Sequence, residues 1–118
     1  MDKVVILMRK APYGSVYTSE GFRTIMGLAV FEMDLNILYM DDGVFTLVKD
    51  QKPEKLDMKP LGEGFSMLAE MNVKKFYVHK GSLADRGLSL DDLVMKVDQL
   101  DDAGVAEVLS SATKILPF

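Results

Sequence analysis

The chain carries one histidine and no cysteine, and those two facts bound its chemistry before any fold is considered. Without a thiol it offers no disulfide, thiolate metal site, iron–sulfur cluster or cysteine nucleophile of its own. The histidine, His79, stands in "KKFYVHKGSLADRGL" (74–88), where an apolar run gives way to a short helix signal. A strand-to-helix turn of this kind favours ligands and reactive groups, because free backbone N–H groups and the helix dipole attract negative charge there. Lys74, Lys75 and Lys80 flank His79, a setting electrostatically suited to a thiolate. As a general base His79 would need an orienting carboxylate, and Asp41 or Asp42 would supply it if their strand lies beside its own. The plainer reading is a structural or interface histidine.

Asp41, Asp42 and Gly43 follow a second apolar run. Two adjacent carboxylates there would suit a Mg²⁺ ion or a ribose, yet no third ligand accompanies them, and Asp and Gly equally suit a turn leading into a helix. In the 74–88 stretch, Ser82 is placed to cap a helix beginning at Leu83, with Asp85 three residues on as a capping-box variant and Gly87 ending it. The candidate pocket is therefore Asp41, Asp42, Gly43, His79 and Ser82. No metal and no cofactor is implied. A third segment, "RKAPYGSVYTSEG" (9–21), lacks both the dinucleotide fingerprint and the P-loop lysine. Ser15, Thr18 and Ser19 offer either an anion site at a helix start or simple caps.

The apolar residues Val44, Phe45, Leu47 and Val48 exceed what a turn needs. They either cover the sheet edge or are buried by another subunit, and we place them in or beside a subunit contact.

These segments need elements to hold them. Near-continuous apolar runs at 3–8, 35–40 and 74–79 read as strands covered on both faces, with weaker runs at 93–97 and 113–118. Between the first two, Phe22, Ile25, Met26, Ala29, Val30 and Met33 recur on one helical face, with Thr18 or Ser19 as its cap. Leu61, Phe65, Leu68 and Met71 mark a second helix over 61–71, weakened by Gly62 and Gly64. A third runs over 101–111, with Val105, Val108, Leu109 and Ala112 inward. Met26, Met33 and Met71 on such stripes make core packing the account of the methionines. Residues 49–60 form a polar surface loop. Strands alternating with helices predict a five-stranded parallel sheet in a three-layer α/β/α sandwich, with all three candidate segments at its carboxyl edge. At 118 residues the whole chain, 1–118, is expected to be one domain. A net charge of −4 argues against direct nucleic-acid binding. With neither signal peptide nor membrane span, the chain is expected in the cytoplasm.

"DDGVFTLVKDQKP", "YVHKGSLADRGL" and the ending "KILPF" together resemble the DsrE/DsrF-like proteins, especially the DsrF/TusC branch, over essentially the whole chain. The resemblance implies subunits that assemble into trimers or hexamers and move persulfide sulfur in tRNA thiolation or in dissimilatory sulfur metabolism. It places their carrier cysteine eight residues before the glycine of the "RG" pair, which in this chain is His79. The expectation is a non-catalytic subunit or paralogue of a DsrE/TusBCD-type sulfur relay, without enzymatic activity of its own. Its partners would be DsrE-like and DsrH-like subunits or further copies of itself. The competing reading is an independent small-ligand binder or His79-dependent enzyme using the same pocket.

Overall fold

The computed structural model describes residues 2–13, 16–31, 33–49, 64–65, 67–71 and 73–118. Strands β1 (Lys3–Met8), β2 (Asp34–Tyr39), β3 (Val73–His79), β4 (Asp98–Leu100) and β5 (Lys114–Pro117) form one parallel sheet in the order β4-β3-β2-β1-β5. Val5 and Ile6 of β1, and Leu35, Ile37 and Leu38 of β2, are wholly buried although they point to opposite faces. A strand apolar on both faces folds stably only where both faces are covered. Helix α1 (Tyr17–Leu28) leads from β1 to β2, α2 (Lys80–Asp85) follows β3 at once, and α3 (Asp102–Ser110) carries the chain from one sheet edge to the other.

On one face Ile6, Met8, Ile37 and Tyr39 pack with Ile25 of α1, Leu83 of α2 and Phe65. On the other, Val5 and Leu38 meet Val105 and Val108 of α3. The result is the three-layer α/β/α sandwich expected from the sequence.

Several local expectations are corrected. The fourth strand is 98–100, not 93–97. Leu93 makes an isolated antiparallel bridge with Val48, and the Val94 N–H donates to the Leu47 carbonyl at 2.7 Å, so this apolar run packs beside the chain after β2 while a polar tripeptide forms the edge. Helix α1 stops at Leu28. Ile25 and Ala29 are buried, but Met26 and Val30, one residue and about 100° further round, are exposed. Thr18 does not cap α1, whose N-cap position is Val16 with no side-chain bond; it is buried and donates to the Ala11 carbonyl at 3.1 Å. In 61–71, Phe65 and Leu68 are buried as expected, whereas Met71 is exposed. Core packing therefore does not account for Met26 or Met71. The connector from 50 onward and Leu61 and Gly62 lie outside the described residues.

Candidate functional site at the carboxyl edge of the sheet

β2 and β3 are neighbours in register, Tyr39 beside Val78, so the residues just after each strand must meet. The chain leaves β2 through Asp41, whose φ of 52° is left-handed, a conformation that costs a non-glycine residue about 1–2 kcal/mol. It then enters a 3₁₀ helix over Asp41–Leu47. Gly43 is held there by close approach: a Cβ at this position would lie 1.9 Å from the Met8 carbonyl oxygen.

A continuous hydrogen-bonded chain crosses this edge. The Asp41 N–H donates to Ser82 Oγ at 2.8 Å. Ser82 Oγ lies 2.7 Å from His79 Nδ1, which also accepts the Ser82 backbone N–H at 3.2 Å. His79 Nε2 stands 2.6 Å from Asp102 Oδ1. One tautomer satisfies every member: the proton on Nε2 is donated to Asp102, and Nδ1 accepts the Ser82 hydroxyl, whose remaining lone pairs receive Asp41.

This arrangement revises two expectations. His79, not Ser82, is the N-cap of α2, because an imidazole Nδ1 three residues before an amide can do what a capping hydroxyl does. Ser82 is 3% exposed and turns its hydroxyl toward His79 and Asp41 instead, while Asp85 lies at the other end of the helix. The orienting carboxylate is Asp102, not Asp41 or Asp42. Asp41 accepts from Arg9 at 2.9 Å, and Asp42 accepts two bonds from Arg86 at 3.0 and 3.1 Å, whose Nη1 also donates to the Ser82 carbonyl. Both carboxylates are thus committed to guanidinium groups rather than to a shared cation. Asp102 arrives because His79 pairs with Leu100 of β4 and α3 begins two residues later. That signal was readable only with the fourth strand placed at 98–100.

Gly87 has the predicted left-handed φ of 67°. Lys75 pairs with Asp98 at 3.1 Å; the hydrogen bond and then the charge of Asp98 raise the lysine above its usual range. Val44 and Leu47 are fully buried within this chain, while Phe45 and Val48 are half-buried, with the Arg86 guanidinium 6.0 Å from the Phe45 ring centre. Of the residues proposed for an anion site in the first loop, Thr18 is buried and directs its hydroxyl to backbone carbonyls, while Ser15, with Gly14, lies outside the described residues. Phe118 continues the pairing of β5 with β1 beyond Pro117: its N–H donates to the Leu7 carbonyl and its oxygen accepts from the Arg9 N–H, both at 2.8 Å.

Comparison with known proteins agrees with this architecture. A model described as the DsrE/DsrF-like family matches residues 2–118. The intracellular sulfur oxidation protein DsrF of Allochromatium vinosum is 32% identical over 132 residues, covering 100% of this chain and 97% of its own. A TusC homolog of Aliivibrio fischeri is 27% identical over 118 residues, covering 100% of both. Among solved structures, the ychN protein from E. coli superposes with a TM-score of 0.85 at 28% identity over 100% of each chain. A protein of unknown function from Methanobacterium thermoautotrophicum shares the fold, with a TM-score of 0.75 at 20% identity over 99% of this chain and 100% of its own.

Proposed function

The chain belongs to the DsrE/DsrF-like family, and from that membership we propose that it is a non-catalytic subunit or paralogue of a DsrE/TusBCD-type sulfur relay complex, supporting persulfide transfer by a cysteine-bearing partner. The observation that carries this reading is the absence of any cysteine from all 118 residues, in a chain similar throughout its length to proteins named DsrF and TusC. A persulfide requires a cysteine sulfur to carry it. At the position where the family resemblance expects that sulfur, His79 has both ring nitrogens engaged, one by Ser82 and one by Asp102.

The contribution of this subunit is then assembly: with DsrE-like and DsrH-like subunits, or with copies of itself, into a trimer or hexamer that shapes the partner's carrier site. Among the described residues no helix is long and apolar enough to cross a membrane, and we place the complex in the cytoplasm.

The test is reconstitution with cysteine-bearing family members from the same cell. Co-purification as one native-mass species, with radiolabelled sulfane sulfur found only on the partner, is the expected result. Uptake and onward transfer of label by the isolated chain would overturn the proposal.

A further inference from the structure

Three side chains at the end of β3 stand in the order carboxylate, imidazole, hydroxyl: Asp102 at 2.6 Å from His79 Nε2, and Ser82 Oγ at 2.7 Å from His79 Nδ1. We propose that Ser82 is a nucleophile activated by His79 and positioned by Asp102, taking the acyl group of a small ester or thioester and releasing it to water. The relay reading makes the chain non-catalytic in sulfur transfer only and uses none of these groups as a reacting atom, so the two proposals stand independently.

Capping of α2 explains only the Ser82 N–H bond to Nδ1. It requires neither a hydroxyl within proton-transfer distance of the same nitrogen nor a carboxylate on the opposite one; together these are the parts of a Ser-His-Asp triad with the ring nitrogens exchanged, the hydroxyl on Nδ1 and the carboxylate on Nε2. The location suits the chemistry as well. Ser82 sits in the first turn of α2, which follows β3 directly at the carboxyl edge of a parallel sheet, where open α/β sheets place their ligands. The neighbouring strand end contributes Asp41 in a left-handed conformation, its N–H aimed at Ser82 Oγ from 2.8 Å. Strained backbone of this kind concentrates at functional sites, and the Asp41 N–H occupies a lone pair of Ser82 Oγ, which leaves the hydroxyl proton directed at His79 Nδ1. Ser82 is 3% exposed, which restricts the acyl donor to a small one and admits water to the site singly rather than as bulk solvent.

In the first half-reaction the Ser82 proton passes to His79 Nδ1 as Oγ bonds to the acyl carbon, while Nε2–H remains on Asp102. The bond to the leaving alkoxide or thiolate breaks, and that group departs with the proton from Nδ1. Water then attacks the acyl carbon and gives its proton to Nδ1. The C–Oγ bond breaks, Oγ recovers that proton, and a carboxylic acid leaves.

The full chain is treated with a fluorophosphonate, which phosphonylates an activated serine with loss of fluoride, and adducts are located by intact and peptide mass. The expected result is one adduct, on Ser82, absent from Ser82→Ala. Asp102 is 96% exposed at its side chain, so Asp102→Asn should melt as the parent does yet label at least about tenfold more slowly, its amide no longer holding the imidazole in the reactive orientation. No adduct on Ser82 in the folded parent, or an unchanged labelling rate in Asp102→Asn, overturns the proposal.

Discussion

Tyr39 ends β2 with its ring edge-on to Phe65, 5.6 Å between centroids, and its buried hydroxyl has no hydrogen-bond partner among the described residues. Burial raises the phenol well above its usual pKa, because the phenolate would have to form without water. The sign follows from linkage. Up to about pH 10, where a solvated tyrosine titrates, folded and unfolded states both keep the proton; above it the unfolded chain loses a proton that the folded one retains, so stability falls as pH rises. Tyr39→Phe should remove this loss and, by deleting an unsatisfied buried hydroxyl, stabilise the chain by about 1 kcal/mol at neutral pH. Urea denaturation at neutral and alkaline pH measures both effects, and a destabilised variant at neutral pH would mean that the hydroxyl is satisfied after all. His79 and Ser82 were identifiable from the sequence because both lie in one contiguous turn with a helix signal. Asp102 was not: it lies 23 residues from His79, and only strand pairing brings it there.

At the scale of elements, the central strands and α3 were legible because each buries a regular apolar pattern, whereas the sheet edge was not. A three-residue edge strand reading Asp-Gln-Leu carries no burial signal, and the apolar run before it was the stronger pattern for a strand that does not form. Register slips of this kind matter less than the crossing of the 3₁₀ helix over the end of β1. A Gly43 Cβ would lie 1.9 Å from the Met8 oxygen and 2.5 Å from its carbonyl carbon, both backbone atoms. Gly43→Ala must displace that backbone and pull the Asp41 N–H from Ser82, which should cost about 3 kcal/mol or more. Gly27 in α1 offers the contrasting case: a Cβ there meets nothing within 4 Å, so Gly27→Ala should stabilise the helix by about 0.5–1 kcal/mol. Chemical denaturation of the pair checks the geometry, since equal and small effects would place the 3₁₀ helix further from β1.

For the molecule as a whole, the four apolar residues after β2 divide into two kinds that the sequence could not separate. Val44 and Leu47 are wholly buried by their own chain, because a 3₁₀ helix returns to one face every three residues. Phe45 and Val48, also three apart, share the next face and are half-buried. A subunit contact at this edge would therefore be made through Phe45, beneath the Arg86 guanidinium, and Val48 rather than through all four. Phe45→Asp places a carboxylate on that surface close to Asp42 and should leave the circular dichroism spectrum unchanged while shifting the sedimenting species toward smaller assemblies. Val44→Asp, by contrast, puts a charge into the core, where leaving it unpaired costs more than the 5–15 kcal/mol that stabilises a typical domain can comfortably absorb, and it should yield little folded protein. The two variants differ by one position in sequence and by one face in space. Unfolding in both would make Phe45 as much a core residue as Val44, and a folded Phe45→Asp chain that sediments as the parent does would place the assembly contact elsewhere on the molecule.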